Sequence, residues 1–344
     1  METRRIKARN GEGLTFTVVG LGTGPLGELF EALDEKTAIA TVEQALESGV
    51  RVFDSSPHYG NGLAESRMGA GLRRAPRDQI LVSTKIGRIM DPFTKRPAPR
   101  KDVVTPGFAG GYPHAPRFDY SYDGAMRSIE HSLLRTGLDR LDIVLIHDCD
   151  PWTHGDEEAP VRFKEAMAGC YRVLDKLRHD KVIKAIGFGI NDAATCVKFA
   201  KAGDFDVAMM AGRYTLIDQT GLPEFLPLAL EKNIGVMLAG VFNSGILATG
   251  SVAHAKFDYA DASAAVVTKV KAIEDLCRKH KVTLRQTALQ FAMAHPAVVS
   301  IVLGAVKPEE VKANVHDATV AIPASLWSDL KSAKLLDPSA PTKG

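Results

Sequence analysis

Short runs of apolar, often β-branched residues alternate with longer segments in which apolar positions recur every three or four residues. The short runs predict strands at Thr17–Leu21, Arg51–Asp54, Ile80–Lys85, Leu141–His147, Val182–Phe188, Asp206–Met209, Gly235–Ala239 and Val299–Leu303. The longer segments predict helices over Asp34–Ser48, Ala64–Leu72, Ser121–Thr136 and Pro160–Asp180, with later ones starting near Asp192, Pro223, Ala264 and Pro308. Asp34 and Thr37 are start signals, and Gly49 and Gly137 stand where helices end. Strands alternating with helices imply parallel pairing through crossovers. Eight such strands fit a closed (β/α)8 barrel better than an open doubly wound sheet. The open sheet favours a Gly-x-Gly-x-x-Gly turn opening a helix, and Gly20-Leu21-Gly22-Thr23-Gly24 lacks that spacing. One barrel domain over residues 1–344 is expected.

Two stretches break the rhythm. Residues 1–16 predict a short hairpin around Asn10-Gly11 that caps the barrel floor. The segment from Gly87 to Tyr120, after the third strand, is too long for an ordinary connection. It lies on the side where substrate loops gather.

Composition removes several function classes. With 43 basic and 41 acidic residues the net charge is +2, and no basic stripe interleaved with aromatics suggests nucleic acid. No apolar run approaches the roughly 18 residues of a membrane span. The charged start METRRIKARNGEG has no apolar signal region, so a cytoplasmic location is expected. Cys149, Cys170, Cys196 and Cys277 show no Cys-x-x-Cys spacing and are expected as reduced thiols. The expected partner is a small-molecule substrate; nothing indicates an oligomeric state.

The polar residues converge on one end of this outline. Asp54 ends the second strand, Lys85 the third and His147 the fourth; Tyr59 follows Asp54 by five residues and Asn191 follows the fifth strand. Barrel enzymes build their working face where strands end. Singly, Asp54 reads as a turn cap, Tyr59 as packing, Lys85 as a solvated end and His147 as a satisfied histidine; convergence favours chemistry. A lysine ammonium favours tyrosinate, a carboxylate holds the lysine, and a histidine orients a substrate oxygen. Such a set suits hydride transfer to or from a nicotinamide. His147, Cys149, Asp150 and His154 match no usual zinc spacing, and Lys85 opposes a cation, so no metal is expected.

The run Phe53-Asp54-Ser55-Ser56-Pro57-His58-Tyr59-Gly60, then Gly62-Leu63-Ala64-Glu65, resembles the signature of the aldo-keto reductase superfamily. Ser83-Thr84-Lys85 and Leu145-Ile146-His147 match its next blocks in order. The resemblance implies Asp54, Tyr59, Lys85 and His147 as a catalytic tetrad with Tyr59 the acid/base. Cys149, Trp152 and His58 are expected at the substrate mouth.

The resemblance also implies a dinucleotide site. Asn191 matches the amide that holds the nicotinamide carboxamide; the neighbouring serine position is taken by Gly189 or Ile190. Ala211-Gly212-Arg213-Tyr214 replaces the family's glutamine block, with Tyr214 kept, and Ala239 stands where a stacking tyrosine is usual. Phe242, Asn243, Ser244 and Gly245 resemble the loop over the pyrophosphate. Gly304 and the helix to Asn314 resemble the adenosine-phosphate block, with Asn314 against adenine. Glu310 stands where members preferring NADPH often carry arginine or glutamine, so NAD is expected, with NADP also open and Lys307 nearby to compensate. Together the two altered blocks resemble the bacterial branch of D-threo-aldose 1-dehydrogenases and pyridoxal 4-dehydrogenases. That branch implies oxidation of a cyclic hemiacetal, such as L-fucose, to a lactone. An NADPH-dependent aldehyde reductase is the rival class.

Overall fold

The computed structural model describes residues 1–29, 31–95 and 108–343. The chain opens with an antiparallel hairpin, β1 (Thr3–Lys7) and β2 (Gly13–Thr17). After β3 (Val19–Gly22), β4 (Val52–Asp54) and β5 (Leu81–Ile86) comes a second hairpin, β6 (Arg88–Lys95) and β7 (His114–Phe118). The rhythm resumes with β8 (Ile143–His147), β9 (Ala185–Ile190), β10 (Val207–Ala211) and β11 (Gly235–Ala239). A ribbon of β12 (Lys256–Phe257) and β13 (Ala260–Asp261) precedes the last strand, β14 (Val298–Gly304). Strands β3, β4, β5, β8, β9, β10, β11 and β14 pair in parallel in that order, and β14 returns to β3. The barrel closes as expected.

Helices α1 (Glu35–Glu47), α2 (Leu63–Leu72) and α3 (Tyr122–Thr136) pack outside the first strands. Then come α4 (Pro151–Ala166), α5 (Arg172–His179), α6 (Ala193–Ala202), α7 (Phe225–Glu231) and the single turn α8 (Ile246–Thr249). The last are α9 (Ala264–Lys279), α10 (Leu284–Ala294), α11 (Pro308–Asp317) and α12 (Ala324–Ser332). Asp34 and Ser121 cap α1 and α3 by accepting from Thr37 N and Gly124 N.

Strand alternation sorts the core into two layers. Phe53, Val144, Ile146, Ala208 and Met210 face outward beneath the helices. Val52, Leu145, Val207, Met209 and Met237 face inward and meet Leu14 and Phe16 from the hairpin. Phe16 is fully buried, a contribution on the order of 2 kcal/mol, so the predicted hairpin is the barrel's floor plug.

Several boundaries moved for identifiable reasons. The helix expected from Pro160 starts at Pro151, because Asp150 caps it through Thr153 N at 2.9 Å. It bends at Gly155 (φ 77) and reaches α5 through a π turn at Met167–Tyr171. The strand expected from Val182 starts at Ala185, since Val182 and Ile183 still bond to Leu177 O at the end of α5. Helix α10 was not expected, although Thr283 and Gln286 form its capping box. Part of the expected long loop is the β6–β7 hairpin; positions 96–107 of it lie outside the described residues.

One close backbone contact sets the entrance to the site. A Cβ on Gly27 would sit 2.6 Å from the Tyr59 carbonyl carbon, and one on Gly60 2.5 Å from Gly27 O. Only glycine lets these loops touch, and Gly60 also adopts φ 61. Gly27→Ala is expected to destabilise the fold by about 1–3 kcal/mol and to lower turnover by displacing Tyr59. Urea midpoints with matched steady-state rates check this; an unchanged midpoint with unchanged turnover would show that the contact is not needed.

Candidate active site

Three neighbouring strands deliver the polar groups. Asp54 is the last residue of β4, Lys85 lies near the end of β5, and His147 ends β8. Register places Asp54 beside Ser83 and Lys85 beside Leu145, so these side chains enter the barrel mouth at adjacent heights. Lys85 Nζ donates to Asp54 Oδ2 at 2.5 Å and to Ser55 O at 2.7 Å, with Lys85 and Asp54 only 1% and 2% exposed. Burial works against the Lys85 ammonium, but Asp54 and then Tyr59 outweigh it and hold its pKa above the ordinary lysine value. Burial pushes the Asp54 carboxyl up, opposed by the Lys85 charge.

Tyr59 sits in a tight turn after β4, with Lys85 Nζ 4.8 Å from its ring centroid. The sequence suggested a tyrosinate favoured near neutral pH. The structure reverses that balance: burial raises the Tyr59 pKa above its ordinary value, and Lys85 only partly offsets it. Tyr59 is therefore a phenol at neutral pH, ready to donate a proton. Burial, then Arg88 and Lys85, hold the His147 pKa well below the usual histidine range, so its ring is neutral. Its Nδ1 lies 3.1 Å from Ser56 Oγ, and its ring stands edge-on to Tyr59 with centroids 6.1 Å apart.

A cavity of about 380 Å³ opens beside Asp54 and Tyr59, with Lys85 and His147 buried behind its wall. Asp54, His58, Tyr59, Phe108, Trp152 and Tyr259 line one end, and Gly304, Val306 and Glu310 the other. Between them run Ala211–Gly212 and Ala239–Gly245. Asn191 lines it too, fixed by Asp148 Oδ1 (3.0 Å from its Nδ2) and by Asp150 Oδ2 (3.0 Å from its backbone N). The turn of the β12–β13 ribbon adds Asp258 and Tyr259 to the wall. Arg213 holds it through Asp258, Ser244 Oγ accepts from Tyr259 N at 2.9 Å, and Tyr259 meets Trp152 with centroids 5.7 Å apart.

The expected site residues divide accordingly. Phe242, Asn243, Ser244, Gly245, Gly304, Glu310 and Asn191 reach the cavity wall, as do His58 and Trp152. Tyr214 does not: its ring turns into the core and stacks on Phe291 at 4.8 Å, leaving Gly212 and Arg213 at the wall. Cys149 is 1% exposed within the outer core and does not face the mouth, because the wall position falls to Trp152, in the first turn of α4. Asn314 lies beneath the wall, donating to Gly304 O and accepting from Arg285. Sequence reasoning missed Arg88, Asp148, Phe108 and Tyr259. Arg88 had a faint signal, an arginine three residues after Lys85 across a glycine. The Gly87 conformation (φ 108) steers it inward, and a Cβ there would strike the Tyr120 ring.

An extended ligand with a polar bridge fits this trough. Asn243 Oδ1 is a buried acceptor without a partner, and a Cβ on Gly245 would meet no protein atom within 4 Å. Gly240 and Gly304 also lie on the wall. A nicotinamide dinucleotide is such a ligand, and Asn191, Asn243 to Gly245 and Glu310 are the wall residues that would hold it.

Comparison with known proteins agrees with the geometry. The family model described as "Aldo/keto reductase family" matches residues 18–334. A pyridoxal 4-dehydrogenase of Microbacterium luteolum is 39% identical, covering 94% of this chain and 96% of its own. A D-threo-aldose 1-dehydrogenase of a Pseudomonas species is 36% identical, again covering 94% and 96%. Among solved structures, an aldo-keto reductase of Bacillus halodurans in its holo form superposes with a TM-score of 0.73 at 20% identity, over 99% of this chain and 98% of that one.

The Tyr59–Lys85 pair can be tested by pH profile and by substitution. A raised phenol pKa means that proton removal becomes easier as pH rises toward it, so oxidative kcat/KM should climb steadily from pH 7 to about 10. Lys85→Met removes the cation whose charge lowers that pKa and should move the rise to still higher pH; an unmoved curve in an active variant detaches Lys85 from Tyr59. Tyr59→Phe should keep the fold while lowering turnover by roughly 10²–10⁴-fold, measured with circular dichroism as the folding control.

Proposed function

The chain belongs to the aldo/keto reductase family, and on that premise we propose that it oxidises a cyclic hemiacetal to a lactone with NAD. Members of this family are oxidoreductases acting on alcohol or aldehyde groups with nicotinamide cofactors. The observation that carries the reading is the Tyr59 phenol beside buried Lys85, with neutral His147 facing it. A bound nicotinamide supplies the hydride acceptor at that point. As its phenolate, which forms as pH rises toward the raised pKa and which the Lys85 charge favours, Tyr59 takes the hydroxyl proton of the hemiacetal and becomes the phenol, while Asp54 anchors Lys85. His147 donates to the substrate oxygen and sets its direction.

The preferred substrate in this reading is an aldose of the D-threo type such as L-fucose. The relative named D-threo-aldose 1-dehydrogenase supports it, as does a cavity end offering both hydrogen-bonding groups and aromatic faces. Pyridoxal is the second reading, favoured by the number of rings there: His58, Tyr59, Phe108, Trp152 and Tyr259 suit a flat heteroaromatic. Purified protein with NAD, offered L-fucose, D-arabinose, L-galactose and pyridoxal, separates the two by rate and lactone product. No NADH formation with any of them overturns the reading.

The choice of NAD rests on Glu310. Its carboxylate accepts from Val306 N at 2.9 Å at the start of α11 and lines the cavity. Among the described residues lining the cavity the one cation is Arg213, already paired with Asp218 and Asp258. Arg285 near that end is committed to Asp317 and Asn314. A 2′-phosphate would thus meet repulsion with no uncommitted cation on the wall; exposed Lys307, at the start of α11, tempers it, and after screening a preference for NAD of about ten-fold is expected. Glu310→Arg should narrow or invert it, since guanidinium matches phosphate in charge and shape. The check is kcat/KM for both cofactors at one salt concentration; wild-type preference for NADP moves the protein toward the reductases.

A further inference from the structure

We propose that the buried Arg88–Asp148 ion pair positions His147, selecting its Nε2–H tautomer, and ties that selection to the placement of Asn191. Arg88 Nη1 donates to Asp148 Oδ2 at 2.6 Å, with side-chain exposures of 8% and 10%. The same Nη1 stands 3.4 Å from His147 Nδ1. On the opposite side of the ring, His147 Nε2 is 3.3 Å from Asp148 Oδ1. That same oxygen accepts from Asn191 Nδ2 at 3.0 Å. One carboxylate thus contacts the guanidinium, the imidazole and the amide at the cavity wall.

The chemistry of the neighbours makes the selection one-sided. Ser56 Oγ, 3.1 Å from Nδ1, accepts from His58 N and can either donate to or accept from the ring, so it tolerates both tautomers. A guanidinium has only donors. It faces a bare Nδ1 lone pair favourably and an Nδ1–H unfavourably. Asp148, an acceptor, favours the proton on Nε2. The pair therefore brackets the ring with matching polarity, and the long Nε2–Asp148 contact leaves that proton open to a substrate oxygen.

The inference rests on the proposed role of His147, but the tautomer can be read without catalysis. The charged and titratable groups facing the ring are Arg88 and Lys85 from around β5, Asp148 beside it, and His58 and Tyr59 from the turn after β4. The two cations work with burial to keep it neutral. Removing Arg88 takes away one of them while Asp148 stays, so proton uptake by the ring becomes easier. Asp148 loses its strongest partner at the same time, which loosens Asn191.

The test uses nitrogen-15-labelled histidine in the full protein, with the His147 signal assigned through His147→Gln. In the wild type, His147 is expected as neutral Nε2–H from pH 6 to 9. In Arg88→Met the ring should show Nδ1–H or protonated species in that range. Its kcat/KM at pH 7 should fall by about 10²-fold and recover partly as pH rises. Arg88→Lys, which keeps the charge, should restore a neutral ring and part of the rate. Because Arg88→Met leaves a buried carboxylate alone, Arg88→Met/Asp148→Asn serves as the folding-tolerant variant, and it too should lose the fixed tautomer. A His147 ring that stays neutral Nε2–H in both Met variants overturns the proposal. An altered tautomer without any lactone-forming activity in the wild type would instead sink the proposed function alone.

Discussion

The site depends on the contact between Lys85 and Asp54. Two full charges stand almost entirely out of water, a placement that is costly unless each is paired and hydrogen-bonded. The barrel meets that condition for Lys85 Nζ and Asp54 Oδ2 by setting β4 beside β5, so that Asp54 Oδ2 and Ser55 O both receive Lys85 Nζ, while Asp54 Oδ1 stays buried without a hydrogen-bond partner. Breaking either partner would leave a buried charge alone. The pair therefore constrains strand register, the turn that follows β4, and through that turn the location of Tyr59.

Around this pair the charges are layered. Lys85 lies under the Tyr59 ring, Arg88 lies beside His147, and Asp148 links Arg88 to Asn191. Cations thus flank the two groups expected to handle protons, while carboxylates hold the cations from behind. Burial dominates both pKa shifts and drives them the same way, toward neutral Tyr59 and neutral His147. Both groups are then uncharged in the resting protein. The ribbon from Lys256 to Asp261 completes the enclosure through Arg213, Ser244 and Trp152.

Much of this was legible beforehand, and unevenly so. Strand and helix alternation carried the barrel because each strand buries an apolar run between two core layers, a pattern local enough to see. Asp54, Lys85 and His147 were legible because strand ends in a barrel all open on one face. Tyr214 was misplaced because a one-residue change of direction after a strand exchanges wall for core, and Arg213 took the wall position beside it; of Cys149 and Trp152, both expected at the mouth, Trp152 reaches the wall and Cys149 packs in the core. The sign of the Tyr59 shift was misjudged for another reason: sequence reveals the neighbouring lysine but not the depth of burial.

By itself, the sequence determined the order of the eight barrel strands, the closed barrel, the floor hairpin and the polar groups at the strand ends. These follow from periodicity and from turn chemistry, which act over a few residues. Only the tertiary structure decided how those groups are paired and protonated. Arg88 lies 59 residues from His147 in the chain, and Asp148 reaches Asn191 across 43. Contacts over such separations arise from barrel closure and the packing of its mouth, and no local pattern encodes them.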